Sequence, residues 1–376
     1  MNFLRVTVLL CCLATLAACG DSRGTSQSEP AQPSALQQAL GGGSTRGFAR
    51  AEGPREFEFP RDHGAHPRFR NEWWYYTGVL SSAAGRQFGF ELTFFRVSLQ
   101  AQAPSGNAWR SNQVFFAHFA VTDVGGQRFH AFERISRPAD GLAGVRADPF
   151  AVWLEDWRVA GRETWQLAAA QDQVSLSLSL AAQMPPVLNG DRGLSRKSAA
   201  PGNASYYYSM PRLRATGALT IGGDRHDVQG LVWMDREWST SALSDTQVGW
   251  DWFALHLDNG SNLMFYRLRD VKGVPDRFSA GTWSFADGRV VHLQADALRA
   301  RPHTFWTAAD SGRYPVGWDL HLPEHDLHLD VTALLDDQWL NFIVPYWEGA
   351  VSVTGRHAGR ELSGYGYLEL TGYNPR

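Results

Sequence analysis

Ionisable and aromatic side chains alternate along one strand-like segment near the middle of the chain. Residues 230–239 read Gly-Leu-Val-Trp-Met-Asp-Arg-Glu-Trp-Ser. Successive side chains of a β-strand point to opposite faces, so Arg236 and Trp238 would share one face while Asp235 and Glu237 share the other. Charged groups held among aromatic rings on rigid strands are typical of an apolar ligand pocket or of a catalytic site.

A second aromatic segment supplies a candidate partner for the first. Tyr266 lies at its centre, and Leu268 and Asp270 follow on the same strand face. We favour an inward orientation for Arg236 and Trp238, because Trp238 would otherwise be exposed, and this would place a cation and an indole ring beside Tyr266. In the alternative orientation, the charged residues around Arg236 form a solvated rim.

Further candidates lie in other aromatic strands. Glu72 opens a Trp-Trp-Tyr-Tyr run, and alternation places Trp74 on its face. If that face is buried, the carboxylate either has an Arg partner or has a raised pKa; the alternative is a rim position in solvent. His118 lies in an apolar strand, where a histidine either is a hydrogen-bonded structural residue or faces a ligand. Trp250 and Trp252 add aromatic rings to the predicted pocket.

The motifs predict neither a cofactor nor a metal ion. The chain contains no His-Glu-x-x-His motif, no P-loop and no Gly-x-Gly-x-x-Gly that opens a helix. His321, Glu324, His325 and His328 are close enough in sequence to suggest a metal cluster. The charged residues of this region alternate with Leu, however, as in a half-exposed hairpin, so we predict no metal site there.

Composition narrows the class of protein. The 376 residues carry a net charge of -3 with no dense basic cluster, so nucleic acid is not predicted as a partner. The 15 Trp, 11 Tyr and 21 Phe favour β-sheets and large apolar pockets. The alternative is a structural envelope protein in which all of the aromatic clusters are core.

The N-terminus has the pattern of a bacterial lipoprotein signal. Arg5 precedes an apolar run over residues 6–16 that is too short to span a bilayer, and a Leu-Ala-Ala-Cys sequence follows that ends at Cys19. This predicts a signal peptide over residues 1–18 and lipidation of Cys19; the alternative is ordinary secretion with cleavage near Ala18. The other cysteines lie within the signal, which excludes disulfides and cysteine nucleophiles from the mature chain.

We therefore expect the mature protein to be lipid-anchored in the bacterial envelope and to face the periplasm. Asp21 lies two positions after Cys19 rather than directly after it, which favours the outer membrane over the inner. Residues 19–60, rich in Ser, Gln, Gly, Ala and Pro for much of their length, predict a flexible lipidated tether.

The rest of the chain shows β-strand patterns almost throughout. Short apolar and aromatic runs separated by turn residues indicate an all-β fold, either sandwich or barrel, and residues 174–180 alternate strictly. A Trp-rich strand followed by an aromatic strand ending in Arg occurs twice, at residues 72–96 and 249–267, which suggests two tandem β units; chance similarity is the alternative. We place these units at residues 61–245 and 246–376.

Several segments, taken together and in order, resemble the AttH-like / carotenoid 1,2-hydratase family of secreted proteins. They are residues 71–78, 117–120, 206–211, 230–239, 249–252, 346–351 and 364–373. The resemblance implies two tandem lipocalin-like antiparallel β-barrels after the signal and tether. Members that hydrate carotenoids add water across an isolated C=C with a His-x-Trp pair and a Tyr-x-Asp pair. The matching positions here are Arg236-x-Trp238 and Tyr266-x-Leu268.

These replacements decide the functional prediction. Arg is effectively always charged and is a poor proton donor, so we predict a lipocalin-like pocket that binds a hydrophobic isoprenoid or acyl-lipid-like ligand, with Arg236 paired to a ligand carboxylate or to Glu72. The alternative is a hydratase or lyase with Asp270 or Glu72 as the acid and with Trp238 and Tyr266 stabilising a cation. The resemblance also implies an ABC-type permease as a partner.

Overall fold

The structure, a computed structural model, describes residues 44–102, 111–241, 243–310 and 312–373. These residues form two antiparallel β-sheets within one compact unit, Pro33–Arg376. The all-β prediction is therefore confirmed, and each sheet curls around a core of its own in the manner of a lipocalin-like barrel. Across the described ranges, no helix is long and apolar enough to cross a membrane.

The first sheet contains thirteen strands from the N-terminal half of the described chain. They are β1 (Asn71–Ser82), β2 (Gln87–Ser98), β3 (Gln113–Asp123), β4 (Arg128–Ser136), β5 (Ala143–Ala147), β6 (Phe150–Leu154), β7 (Trp157–Gly161), β8 (Thr164–Gln171), β9 (Val174–Ala182), β10 (Val187–Leu188), β11 (Leu194–Arg196), β12 (Ala204–Ile221) and β13 (Asp224–Ser239). Their order is β4-β3-β2-β1-β13-β12-β9-β8-β7-β6-β5, with β10 and β11 paired to β12.

The second sheet contains ten strands. They are β14 (Gln247–Leu257), β15 (Asn262–Asp270), β16 (Ala280–Ser284), β17 (Val290–Gln294), β18 (Arg299–Thr307), β19 (Arg313–Leu322), β20 (Leu327–Ala333), β21 (Trp339–Leu340), β22 (Tyr346–His357) and β23 (Arg360–Leu370). Their order is β17-β16-β15-β14-β23-β22-β20-β19-β18, with β21 paired to β22. Short 3-10 helices occur at Arg61–His63, Ala139–Gly141 and Pro323–His325.

The two sheets repeat one topology. In each, the first four strands form a meander, and the first strand pairs with the last strand of its sheet, β1 with β13 and β14 with β23. The chain passes from one sheet to the other between Ser239 and Gln247. The hairpins β1–β2 and β14–β15, which carry the repeated aromatic pattern of the sequence, occupy corresponding places in the two sheets.

Alternation of residue type explains how the outer strands pack. In β9, Val174, Leu176, Leu178 and Leu180 are buried in the first core, while the Ser residues between them are more exposed. Each buried aliphatic side chain contributes about 1.5–3 kcal/mol through removal of apolar surface from water. One face of such a strand is wet and the other is dry, as its sequence predicts.

The central strands break this rule, because both of their faces are buried. One face of β1, β13 and β12 packs into the first core. The other face packs on β14, β15, β22 and β23 of the second sheet, in an apolar cluster that includes Tyr75, Tyr207, Trp252 and Met264. Gly89 of β2 allows the close approach, since a Cβ there would lie 2.6 Å from the Cβ of Ala350.

The segment before β1 is packed rather than free. Residues 44–60 were expected to belong to the flexible tether, yet Phe48 and Ala51 are buried. The ring of Phe57 lies 5.5 Å from that of Trp238. These apolar side chains attach the segment to the first barrel, which corrects the tether prediction for residues 44–60. The predicted signal peptide, Cys19 and the rest of the tether lie outside the described residues.

Candidate functional site

The inner face of β1 and β13 holds a buried ion-pair network. The register places Glu72 opposite Trp238 and Trp74 opposite Arg236. The Glu72 carboxylate accepts hydrogen bonds from both Arg96 and Arg236, and all three side chains are fully buried. Burial alone would raise the pKa of Glu72, but the two guanidinium groups outweigh it and hold the pKa well below its ordinary value.

Arg236 and Trp238 are thus parts of the first core. The guanidinium carbon of Arg236 lies 3.9 Å from the centroid of the Trp74 ring. The Trp238 ring stacks on the His66 imidazole with centroids 3.8 Å apart. Both residues point inward, as expected, but into the interior of the first barrel. Tyr266, on β15 of the second sheet, lies on the other side of the first sheet. The prediction of a shared pocket is wrong because both faces of β13 are buried.

The outer face of β1 and β13 lines a cleft against the second sheet. Aromatic side chains from both sheets form its walls: Trp73, Tyr75, Phe95, Tyr207, Trp250, Trp252, Tyr266 and Tyr346. Two apolar side chains and a set of ionisable ones complete the lining: Leu243, Leu268, Glu91, Lys197, Asp235, Glu237, Glu348 and Glu369. The enclosed part of the cleft has a volume of about 80 Å³, and the cleft opens to solvent.

Asp235 is held at the cleft by three donors. It accepts hydrogen bonds from Tyr207 Oη at 2.5 Å, Ser209 Oγ at 2.5 Å and Trp233 Nε1 at 2.7 Å. Burial raises the pKa of Asp235 to about 7, against the effect of these bonds, and repulsion from Glu237 adds to the rise. The carboxyl therefore exchanges a proton near neutral pH.

Three further carboxyls enter the cleft from β2, β22 and β23. Burial raises the pKa of Glu348 well above its ordinary value, and repulsion from Glu91 and Glu369 adds to it. Burial and repulsion from Glu91 raise the pKa of Glu369 to about 8, against a hydrogen bond with Trp250. Tyr75 Oη donates to Glu348 Oε1 at 2.5 Å. At neutral pH, Glu348 and Glu369 are therefore protonated acids.

Lys197 brings a positive charge to the cleft. Its Nζ lies 3.2 Å from Glu237 Oε1 and donates to Ser195 Oγ at 3.2 Å. The Ser195 hydroxyl is in turn 2.8 Å from Tyr266 Oη, and Lys197 Nζ is 4.1 Å from the centroid of that ring. Burial would lower the pKa of Lys197, but the Glu237 carboxylate raises it on balance, so the amine stays charged.

The cleft thus combines neutral acids, an ion pair and π faces. Neutral carboxylic acids can donate a proton to an alkene or a carbonyl, and ring faces stabilise a cation that forms beside them. The ionised Glu237 can accept a proton from water. These are the groups that addition or elimination of water at a C=C requires.

The structure separates the residues that were predicted to act together. Tyr266, Trp250 and Trp252 line the cleft. His118 does not line the cleft itself but contacts a residue that does, since its Nδ1 lies 2.7 Å from Tyr346 Oη. Leu268, at the position of the family's Asp, is a lining residue too.

The two predicted acids lie outside the cleft. Asp270 ends β15 and accepts backbone N–H groups from Lys272 and Val274 at 2.9 and 2.8 Å, so it stabilises a turn. Glu72 is ionised within the first core and donates no proton. Trp74, Arg236 and Trp238 share that core with it.

Only a weak sequence pattern indicates the carboxyls that line the cleft. Alternation places Asp235 and Glu237 on the face opposite to Arg236, and that face lines the cleft. Glu91, Glu348 and Glu369 each stand alone in an aromatic strand, in Phe-Gly-Phe-Glu-Leu, Tyr-Trp-Glu-Gly and Tyr-Leu-Glu-Leu. A buried lone carboxyl is rare enough to indicate a functional site.

Metal-ligating residues are not gathered at the cleft. Within the described ranges, no group of three or more His, Cys, Asp or Glu side chains is arranged to hold a metal ion. His321 and His328 pair across β19 and β20, and His328 is hydrogen-bonded to Asp319 at the surface.

These features define a class of protein: two repeated antiparallel β-sheets that enclose an aromatic, carboxyl-rich cleft between them. The AttH-like family matches residues 50–373, which is nearly the whole of the described chain, and the protein belongs to that family. A comparison with curated protein sequences gave no match.

Solved structures with the same architecture support this assignment. An AttH candidate from Nitrosomonas europaea is 32% identical, with a TM-score of 0.78 over 87% of this chain and 100% of that one. Kievitone hydratase from Nectria haematococca is 14% identical, with a TM-score of 0.67 over 87% of this chain and 97% of that one. CghA with Sch210972 is 15% identical, with a TM-score of 0.52 over 88% and 97%. The last two share the fold.

Proposed function

We propose that the protein binds a hydrophobic ligand, isoprenoid or acyl-lipid-like, in the cleft between its two sheets. The observation that supports this is the aromatic wall of the cleft. Ligand sites are typically apolar with a few polar groups that orient the ligand. Arg236 takes no part in binding, since its charge is paired with Glu72 in the first core.

A neutral fluorescent probe, N-phenyl-1-naphthylamine, tests binding directly. We expect saturable binding that isoprenoid alcohols displace. Replacing Trp252, which lies against Tyr75 with ring centroids 5.0 Å apart, by Ala should weaken binding by about 2 kcal/mol, or roughly thirtyfold in Kd. Trp153→Ala is the matched control, because Trp153 is a half-buried tryptophan of β6 outside the cleft.

A second variant covers the case in which Trp252→Ala does not fold. Leu268→Trp places a larger side chain in the cleft from β15, at a position in the apolar cluster between the sheets, and it should abolish probe binding. Probe binding that survives both changes would place the apolar site elsewhere.

A hydratase or lyase is the second candidate function. It is favoured by the carboxyls that remain protonated near neutral pH, Asp235 and Glu369, beside the aromatic faces of the cleft. In the family's hydratases the proton-transfer groups are the His and Asp that are replaced here by Arg236 and Leu268. The cleft carboxyls supply that chemistry from other positions, with one carboxyl protonating the alkene and Glu237 accepting a proton from water.

Incubation with lycopene- or neurosporene-like polyenes tests this candidate through the hydroxylated product. Asp235→Asn and Glu369→Gln should each lower turnover by about two orders of magnitude or more. Asp270→Asn is the matched control, since the amide oxygen still accepts the two N–H groups of its turn. Equal turnover in Asp235→Asn, Glu369→Gln and the control would refute an acid role for the cleft carboxyls.

We also propose that the mature protein is a lipoprotein anchored through Cys19 in the bacterial envelope, with the outer membrane favoured. The support is the signal pattern of residues 1–18. Cys19→Ser should move the protein from the membrane fraction to the soluble fraction and abolish labelling with a fatty acid. An ABC-type permease is the proposed partner, and co-purification of a permease with the lipidated form tests it.

A further inference from the structure

A line of side chains joined by one ion-pair contact and by hydrogen bonds connects the cleft to the protein surface through β3. It begins at Glu133 of β4, whose side chain is 20% exposed, and continues through His118, which is 4% exposed. It then reaches Tyr346 and ends at Glu91, which is hydrogen-bonded to Glu348. We propose that Glu133, His118 and Tyr346 form a proton relay that moves protons between solvent and the Glu91–Glu348 carboxyl pair.

The distances suit stepwise transfer. Glu133 Oε1 lies 3.3 Å from His118 Nε2, and His118 Nδ1 lies 2.7 Å from Tyr346 Oη. Tyr346 Oη donates to Glu91 Oε1 at 3.1 Å. Each contact is within or close to hydrogen-bond range, and a histidine can take a proton on one ring nitrogen while it releases one from the other.

The hydrogen-bond directions favour transfer toward the cleft. Tyr346 uses its only proton on Glu91, so its oxygen accepts from His118 Nδ1–H. When Nε2 is also protonated, it forms an ion pair with the Glu133 carboxylate, without hydrogen-bond geometry. A proton from solvent that enters at Nε2 then releases the Nδ1 proton to Tyr346 Oη, and the tyrosine passes its own proton to Glu91 Oε1. His118 is then neutral with its proton on Nε2, and its return to the Nδ1–H tautomer, with rotation of the Tyr346 hydroxyl, restores the starting state.

The surroundings isolate this line from bulk water. The rings of Phe95, Phe116 and Phe342 lie 5.3, 5.7 and 4.6 Å from the His118 ring by centroid distance. Glu91 and Glu348 are each 1% exposed. The aromatic rings shield the His118 imidazole from water on those sides, and the carboxyl pair at the other end of the line faces the cleft.

The charged and titratable groups that face the carboxyl pair come from several strands. The pair meets Glu369 of β23 and Tyr75 of β1 on the cleft side and His118 of β3 on the relay side. The role of the relay in the protein rests on the acid–base function proposed above, because addition of water to a C=C consumes a proton at carbon and releases one from water. Its operation is measurable without any substrate.

Infrared spectroscopy of the unliganded protein tests the relay. Glu348→Gln identifies the carbonyl stretch of the protonated pair by removing it at pH 7. On transfer to D₂O, that band shifts as its proton exchanges. We expect His118→Phe and Tyr346→Phe each to slow this exchange by about tenfold or more, because each removes one proton-transfer link. His256→Gln is the control, since His256 is a buried histidine bonded to the Pro211 carbonyl, outside the relay.

The outcomes separate the relay from a structural role. Slow exchange in His118→Phe and Tyr346→Phe, with the rate of wild type in His256→Gln, supports it. A spectrum without a band sensitive to Glu348→Gln, or exchange as fast in both relay variants as in wild type, overturns it. Probe binding in the cleft is measured on the same samples, so failure of the ligand-binding proposal is recognised separately.

Discussion

Replacement of Glu72 by Gln tests whether the inner face of β1 is structural. Glutamine keeps the shape of the side chain but removes its charge, so the guanidinium groups of Arg96 and Arg236 lose their common carboxylate inside the first core. Loss of one partner of a buried ion pair costs about 3–5 kcal/mol. Because one carboxylate serves two cations here, we expect a loss near the upper end, roughly 4–5 kcal/mol.

Urea denaturation followed by tryptophan fluorescence measures this loss as a lower midpoint at an unchanged slope. The effect should depend on pH in a defined direction. The pKa of Glu72 is held below its unfolded value, so its contribution is fully present above pH of about 4.3 and is lost as the pH falls toward the folded pKa. The difference between wild type and Glu72→Gln should therefore shrink only in acid.

Glu348→Gln is the matched control. Glu348 is also fully buried, but it is a neutral acid, so the amide reproduces its charge and its hydrogen bonds to Tyr75 and Glu91. We expect a change within about 1 kcal/mol. If Glu72→Gln unfolds at the midpoint of wild type, or loses probe binding while its stability is unchanged, the assignment of Glu72 and Arg236 to the core is refuted.

Three further changes address the cleft and the contact between the sheets. Because the pKa of Asp235 is raised to about 7, its folded state loses stability as the pH rises from about 4 to about 7, and Asp235→Asn should flatten that part of a Tm–pH curve. Lys197→Met leaves Glu237 without a cation and should cost about 3 kcal/mol in urea denaturation, most of which a second change, Glu237→Gln, restores. Gly89→Ala places a Cβ against the second sheet and should lower stability by about 1–3 kcal/mol, and a midpoint equal to that of wild type would show that the sheets separate freely there.

The sequence predicted the fold because local patterns and repeated patterns agreed. Alternation in β9 and turn residues between aromatic runs indicate antiparallel strands, and the repeated hairpin pattern indicates two similar units. The observed sheets share one strand order, in which each first strand pairs with its last. A pairing between strands some 150 residues apart, such as β1 with β13, has no local signature, so the closing contacts came from the family resemblance.

The site could be predicted only in part, because alternation divides a strand into two faces without saying which face meets a ligand. In β13 the inference that Trp238 must be buried was correct, yet the opposite face with Asp235 is buried as well. Tyr266 lines the cleft, but the cation beside its ring is Lys197 rather than Arg236, which lies beside Trp238. Lys197 lies beyond β11 in an irregular segment, where no strand period applies.

Buried carboxyls are stabilised in opposite ways on the two sides of the central strands. On the inner face, Glu72 is ionised and two arginines neutralise it, which suits a site that must not change. In the cleft that the outer face lines, Glu348 and Glu369 of the second sheet are neutral because they keep their protons. A cation beside Glu348 and Glu369 would lower their pKa and ionise them. Lys197 is instead paired with Glu237. Arg236 therefore belongs to the inner face and is not among the residues that line the cleft.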